Sequence, residues 1–391
     1  MATRSEKIAL FLPSLEGGGA ERVMSALANE FCDAGFGVDL VLQKATGPYL
    51  KDVREGVTVV NLNTKRLMIS VWPLIQYIRK ARPSAMLSTP LDASIVAILA
   101  WTAVGTRARL VVREAITASS DDQVVRGLRA RIIALLRRRA YRRASHVVAP
   151  SVGVAEDLIT RVGVPRAQVS VIANPLDTDL ITTLASAPLE QLSLPAAVRV
   201  IVAAGRLSAQ KDFATLIRAF SAVRRARDVV LVILGEGEER PHLSRLAAEL
   251  GVADKVVMPG FVENPFSYMK RASVFVLSSR YEGLPNALLQ ALAVGTAVVA
   301  TDCPSGPSEI LEGGRWGRLV PVSDVEAMAR AIVDGLDGKL ERPPLSMIIK
   351  RYGLETIAAQ YLEVLLPDRQ VKPARETAGH DAGNRSLLQQ A

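Results

Sequence analysis

Short apolar runs alternate along this chain with stretches of helical period. The first apolar runs are Lys7–Phe11, Val38–Leu42, Val57–Leu62, Ser84–Ser88, Arg109–Val112, Ser145–Ala149 and Val169–Ile172. Between them a 3.6-residue period predicts a helix through Val23, Leu27 and Phe31, and others over Ile69–Ala81 and Ala93–Val104. A long basic helix is predicted over about 123–143, and one capped by Ser151 ends near Gly163. Near-continuous apolar strands separated by helices are the pattern of a parallel sheet covered on both faces.

Asn174-Pro175-Leu176-Asp177 opens a linker that continues to about Pro195, and then the pattern restarts. Strands are predicted at Val198–Ala204, Val229–Leu234, Lys255–Met258, Ser273–Ser278, just after Gly295, and at Arg318–Val320. The helices between them cover Asp212–Arg225, Glu238–Leu250, Pro265–Arg271, Ala287–Val294 and Asp324–Leu336. A single last helix is expected over Leu345–Leu365, and the polar, non-periodic stretch from Pro367 reads as disordered. The expected organisation is α/β: two Rossmann-like, doubly wound domains at 1–175 and 176–344, a helical segment at 345–366 and a tail at 367–391. A cleft between two such sheets is a natural ligand site.

Composition narrows the class. The 391 residues suit two domains, and 49% hydrophobic with 22% charged residues reads as globular. Two cysteines, Cys32 and Cys303, make no disulfide framework and favour a reducing compartment. The run Ile8–Leu12 stops at Pro13, too short for a signal-peptide core. The longest apolar run, Ala93–Gly105, falls short of the ~20 residues of a membrane span. A cytoplasmic protein is expected, soluble or peripheral on the inner face of the cell membrane. The net charge of +9 is unevenly placed: Arg126, Arg129, Arg131, Arg137, Arg138, Arg139, Arg142 and Arg143 crowd one predicted helix. With Val125, Leu128, Ile132, Leu135 and Leu136 between them, 123–143 fits an anionic membrane surface. A core-packed helix with a solvated face is the competing reading. Nucleic-acid binding is not expected, because no aromatic residues interleave the arginines.

Candidate chemistry gathers at predicted strand ends. The Gly17–Gly19 loop would let main-chain N–H groups approach an anion at a helix N-terminus, with a plain tight turn as the alternative. It is not a dinucleotide fingerprint, since Arg22 stands where that motif needs glycine. In Gly205-Arg206-Leu207-Ser208-Ala209-Gln210-Lys211, two cations lie beside a helix start and suit a diphosphate. At Gly235-Glu236-Gly237 and Gly260-Phe261-Val262 the backbone could pass a base or ribose, or simply turn. Glu282 could accept from vicinal sugar hydroxyls, the Gly283–Asn286 amides could donate, and Gln290 could reach a ribose. Glu309 reads as a second sugar contact or as a helix-start carboxylate. His146, His242 and His380 are scattered, and no metal-ligand cluster is visible.

These residues together resemble the GT4 family of retaining glycosyltransferases with the GT-B fold. The resemblance is carried by Leu15–Met24, Val147–Ser151, Val171–Asp177, Gly205–Phe213, Leu234–Glu238, Gly260–Phe261 and Ser278–Ile310, in order and suitably spaced. It implies that Arg206 and Lys211 hold the donor diphosphate and stabilise the leaving group. Glu282 would contact the donor sugar, helped by Gly283, Leu284, Pro285 and Asn286. Gly18 and Gly19 would line phosphate and sugar from the other domain, and the last helix would cross back to it. Neither cofactor nor metal is implied; a nucleotide sugar, expected to be UDP-linked, is the co-substrate, and the expected acceptor is a glycan or a polyprenyl-diphosphate-linked glycan of envelope polysaccharide synthesis.

Two departures stand out. The family signature is a Glu, seven residues and a second Glu; here Glu282 is followed by Gln290, a neutral ribose partner. After Arg113-Glu114 come Ala115 and Ile116, where many members have His-Asn or Arg-Asn, leaving Glu114 as a further candidate sugar contact. A nucleotide-sugar-binding subunit with little or no catalysis is the alternative these departures suggest.

Overall fold

The computed structural model describes residues 6–16, 18–115, 137–189 and 198–369. The first domain holds a seven-stranded parallel sheet in the order β3-β2-β1-β4-β5-β6-β7. Its strands are β1 (Lys7–Leu12), β2 (Gly37–Leu42), β3 (Val57–Asn61), β4 (Ala85–Ser88), β5 (Arg109–Arg113), β6 (His146–Ala149) and β7 (Val169–Val171). Helices Gly19–Asp33 and Leu354–Leu365 cover one face, and Val71–Ala81 and Leu91–Val104 the other.

The second domain has a six-stranded parallel sheet in the order β10-β9-β8-β11-β12-β13. These are β8 (Arg199–Ala204), β9 (Val229–Leu234), β10 (Val256–Gly260), β11 (Val274–Leu277), β12 (Val298–Thr301) and β13 (Arg318–Val320). β9, VVLVIL, is buried at every position, as a strand covered on both faces must be. Helix Phe213–Arg224 shows why the covering layers form. Asp212 caps it by accepting from the Thr215 N–H, and Phe213, Leu216, Ile217 and Phe220 make a buried stripe at helical spacing. Burying each of those side chains contributes about 1.5–3 kcal/mol.

The chain crosses between domains twice, side by side. Leu176 donates to the Tyr352 carbonyl at 2.7 Å, and Leu354 donates back to the Leu176 carbonyl at 3.0 Å. Here the single last helix expected over Leu345–Leu365 divides in two. Gly353 is extended (φ −57, ψ 143), so Leu345–Tyr352 ends on the second domain and Leu354–Leu365 starts afresh on the first. Ile348 and Tyr352 pack in the second core, whereas Ile357, Tyr361 and Leu365 pack in the first.

Candidate active site

Strand order locates the crevice. β8, β9 and β10 run outward on one side of the second sheet, and β11, β12 and β13 on the other. The order reverses between β8 and β11, and ligands of open α/β sheets bind at such a reversal, beyond the strands' carboxyl ends. The segment after β8 carries Arg206 and Lys211, and the segment after β11 carries Glu282.

The two segments are zipped together. Lys211 Nζ donates to Glu282 Oε1 at 2.5 Å, and Ser279 Oγ donates to the same oxygen at 2.6 Å. Ser278 Oγ donates to the Lys211 carbonyl, Arg280 N–H to the Gln210 carbonyl, and Gln210 Nε2 to the Tyr281 carbonyl. The ion pair is largely shielded, with side-chain exposures of 18% for Lys211 and 7% for Glu282. Arg206 lies exposed on the adjoining turn and forms no ion pair among the described residues.

The glycines nearby are needed for internal packing. A Cβ on Gly235 would collide with the Gly205 carbonyl, and one on Gly237 with the Leu207 carbonyl. Loop 235–237 therefore lies directly on loop 205–207, held by Leu207 N–H to the Glu236 carbonyl and Glu239 N–H to the Leu207 carbonyl. The positive φ of Gly235, +135, adds a backbone reason for glycine. Phe261 projects into solvent, 51% exposed, and Val262 is half-buried.

The first domain closes onto this edge. Asn286, at the start of helix Asn286–Ala293, donates to the Gly19 carbonyl at 3.4 Å. A Cβ on Gly19 would lie 2.9 Å from the Asn286 amide nitrogen, so a side chain there would have to displace the Asn286 amide. Gly18, extended, caps helix Gly19–Asp33. Arg22 stacks between two rings, 5.1 Å from Tyr49 of its own domain and 5.3 Å from Phe266 of the other. Asn174, buried in the first crossing, donates to Asn286 Oδ1 at 2.6 Å and to the Leu284 carbonyl at 3.1 Å, and accepts from Arg113 Nη2 at 2.5 Å. Arg113 is itself fully buried.

Glu309 and Glu114 are both engaged within the protein. The Glu309 carboxylate accepts from the Val152 and Gly153 N–H groups at 2.8 and 3.0 Å, at the start of helix Val152–Asp157 in the first domain. Beside it, Ser151 Oγ and Ser305 Oγ are 2.7 Å apart, and Ser305 Oγ donates to the Gly283 carbonyl. Glu309 lies in the first turn of its own short helix, Pro307–Ile310, and its carboxylate also serves the helix start of the other domain. Glu114 is buried, with the Tyr141 hydroxyl donating to Oε2 at 2.5 Å and the Ala115 N–H donating to Oε1. Gln290 is buried, 9% exposed, and Leu284 and Pro285 sit in the tight strand-to-helix turn before it.

Asn174, Ser279, Ser305 and Asp212 belong to this polar framework and were not singled out from the sequence. Asn174 carried a usable signal: a polar residue before a proline, directly after an apolar strand, at the domain crossing. Of the basic stretch 123–143, residues 123–136 lie outside the described residues. In the remainder Arg137 is buried, and Arg138, Arg139, Arg142 and Arg143 are exposed. Ile116 and the tail from 370 also lie outside the described residues.

Two ionisable groups border the pair. Burial pushes the Cys303 thiol up, the Glu282 charge adds to this, and its pKa reaches about 12, so Cys303 stays a protonated, unreactive thiol. Burial would raise the Asp212 carboxyl, but hydrogen bonds from Arg280, Ser323 and Thr215, with the Arg280 charge, outweigh it and hold it below the ordinary range. A depressed carboxyl contributes stability above its unfolded pKa and loses it as pH falls through the folded one. Wild type is therefore expected to lose stability progressively below the ordinary carboxylate value of 3.8. Asp212→Asn, which keeps the cap acceptor but not the charge, should cost about 1 kcal/mol at neutral pH. It should also melt with less pH dependence between about pH 5 and pH 2. Melting temperature against pH checks this; parallel curves for the two proteins would refute it.

Among the described residues, no three His, Cys, Asp or Glu side chains group as a metal site, and no helix is long and apolar enough to cross a membrane.

Two parallel-sheet domains meeting at their carboxyl edges, with a shielded Lys–Glu pair at the strand-order reversal, make the two-domain GT-B fold. The chain belongs to the GT4-type glycosyltransferases: residues 17–180 match the family described as Glycosyltransferase Family 4, and residues 198–337 match Glycosyl transferases group 1. It is 28% identical over 358 residues to the N-acetylgalactosamine-N,N'-diacetylbacillosaminyl-diphospho-undecaprenol 4-alpha-N-acetylgalactosaminyltransferase of Campylobacter jejuni, spanning 86% of this chain and 92% of that one. It is 33% identical over 230 residues to the lipopolysaccharide core biosynthesis glycosyltransferase LpsE of Rhizobium meliloti, spanning 58% of this chain and 65% of that one. Among solved structures it is similar to Anabaena Alr3699/HepE in complex with UDP-glucose, with a TM-score of 0.78 and 21% identity over 92% of this chain and 99% of that one. The chain is accordingly a glycosyltransferase enzyme.

Proposed function

We propose that this enzyme moves a sugar from a UDP-sugar to a polyprenyl-diphosphate-linked glycan with retention of anomeric configuration, at the inner face of the membrane. The observation that carries the reading is the Lys211–Glu282 pair at the reversal between β8 and β11. One member is a fixed cation for a diphosphate and the other a carboxylate for sugar hydroxyls, so a single donor spans both. Exposed Arg206 adds a second cation on the same turn. The similarity to a transferase named for a diphospho-undecaprenol substrate and an alpha linkage supports the acceptor and the stereochemistry. Nucleotide hexoses are commonly α-linked, so an α product from such a donor means retention. The similarity to a fold holding UDP-glucose supports the base.

Departure of the diphosphate moves negative charge onto its β-phosphate oxygen. Lys211, held at Glu282, and the exposed Arg206 on the same turn stabilise that charge. The acceptor oxygen bonds to the anomeric carbon as the carbon–phosphate oxygen bond breaks, on the same face, and the acceptor proton passes to the leaving phosphate. Closure through Asn286, Gly19 and Arg22 excludes water that would otherwise hydrolyse the donor.

The test is a melt with UDP-, GDP- and ADP-sugars followed by transfer to a polyprenyl-diphosphate glycan. A UDP-sugar at 100 times its Kd should stabilise the fold by about 2.7 kcal/mol, and the product should be α-linked. No response to any UDP-sugar, or a β-linked product, would refute the reading. Binding without turnover on any acceptor would leave only a binding subunit. The ribose assignment of Gln290 has its own check. Gln290→Glu should leave donor Kd unchanged or tighten it by up to about tenfold, since a charged acceptor bonds a hydroxyl more strongly. A tenfold loss of affinity would rule out a ribose contact.

A further inference from the structure

We propose that the corner of the first domain built by residues 65–72 docks on an anionic lipid bilayer. Trp72, Met68 and Ile69 are the most exposed large hydrophobic side chains of the described residues, at 63%, 58% and 58%. They are neighbours in one piece of structure, the 3-10 turn Leu67–Ser70 and the first turn of helix Val71–Ala81. The element beneath them is anchored. Leu74, Ile75 and Ile78 are buried, and Ser70 Oγ lies 2.5 Å from Thr64 Oγ1 in a buried contact. The three apolar tips are therefore presented on a fixed support.

The stretch of chain that carries them holds one sign of charge. From residue 56 to residue 91 there is no Asp or Glu, while Lys65, Arg66, Arg79, Lys80 and Arg82 fall within that stretch. Lys65 and Arg66, directly before the apolar tips, are exposed and form no ion pair among the described residues. Apolar and aromatic tips beside unpaired cations match a bilayer interface, where tips enter the acyl boundary and cations meet anionic headgroups. A second copy of this chain fits poorly. A symmetric contact would set Lys65 and Arg66 against their own copies, and three side chains fall well short of the ~800 Å² per partner of a stable interface.

Position gives the patch its use. β3 ends at Asn61, and residues 62–66 continue from its carboxyl end. All strands of the sheet are parallel, so this is the edge on which Gly19 meets Asn286 and the cleft opens. A bilayer under 65–72 lies beside the cleft mouth, where the sugar end of a lipid-linked acceptor would project. This last step rests on the function proposed above; the docking itself does not.

The test uses the full-length chain with vesicles of phosphatidylcholine alone or mixed with phosphatidylglycerol. Wild type should bind the mixed vesicles at least about tenfold more tightly than the neutral ones, less so at high salt, with a blue shift of tryptophan emission. Met68→Ser/Ile69→Ser/Trp72→Ser should lower affinity for mixed vesicles at least about tenfold. Lys65→Gln/Arg66→Gln should remove most of the preference for phosphatidylglycerol. Both variants should keep the wild-type melting temperature and UDP-sugar response. Unchanged vesicle binding by the triple-serine variant would overturn the proposal. So would equal binding of wild type to both vesicles, or a dimer lost in that variant while vesicle binding persists. Vesicle binding without any UDP-sugar response would overturn the proposed function and leave the docking intact.

Discussion

Lys211→Met is expected to lower the transfer rate by about 100- to 1000-fold, the usual consequence of removing one fixed donor to developing negative charge. That corresponds to about 2.7–4 kcal/mol of transition-state stabilisation. Methionine keeps an unbranched stem where the Lys211 stem crosses Gly205; a Cβ on Gly205 would lie 3.1 Å from Lys211 Cε. The substitution also strands Glu282, whose side chain is only 7% exposed and which would keep the Ser279 hydroxyl but no counter-ion. Removing one member of a shielded pair destabilises, and since Lys211 is 18% exposed the cost should be about 1–3 kcal/mol. The double variant Lys211→Met/Glu282→Gln removes the stranded charge. It should regain most of the melting temperature, which assigns the stability loss to the stranded charge; transfer by folded Lys211→Met within about fivefold of wild type would remove the diphosphate role.

The architecture was legible because both of its signals are local. Strands buried on two faces read as apolar runs, as in Val229–Leu234, and amphipathic helices read by period, as in Phe213–Arg224. The strand ends that carry the candidate chemistry follow directly from those two signals. The last helix was mispredicted as one because its apolar period continues through Gly353, whereas the domain crossing requires an extended residue there.

Contacts across the cleft were not legible, because docking of two finished domains sets them. Glu309 and Val152 are 157 residues apart, and Asn174 and Asn286 are 112 apart. No periodicity relates such positions. At Gly235 and Gly237 the sequence offers a ligand approach or a turn; the close approach to the Gly205 and Leu207 carbonyls, which also excludes a side chain there, comes from a loop distant in sequence and has no local signal. Conversely, the helical period over Ile69–Ala81 does not say which of its apolar residues face the core, and Met68, Ile69 and Trp72 lie exposed. Only the fold shows that Leu74, Ile75 and Ile78 fill that role and leave the trio outside.

Asn174 is the residue through which those long-range contacts should be felt most. Asn174→Ala removes the acceptor of Arg113 Nη2 and two donations, to Leu284 and Asn286. Arg113 is 2% exposed, and it donates to the Asn174 side chain with the Tyr361 phenol close by. Its nearby charge partly offsets the burial that raises the Tyr361 phenol. A buried guanidinium stripped of its acceptor, plus two lost bonds, should cost about 3 kcal/mol or more. Asn174→Asp divides the effect. A carboxylate pairs with Arg113 at least as well as an amide does, so stability should stay within about 1 kcal/mol of wild type. An ionised carboxylate cannot donate to the Leu284 carbonyl or to Asn286 Oδ1, and it sets two acceptors against it. Asn286 then loses the partner that holds it toward Gly19, and donor kcat/KM should fall about tenfold or more through weaker closure. Melting temperature and donor kinetics of the two variants decide the matter. Wild-type kcat/KM in Asn174→Asp would mean that the bond from the crossing to Asn286 has no part in closing the cleft, and that Arg22 between Tyr49 and Phe266 carries closure without it.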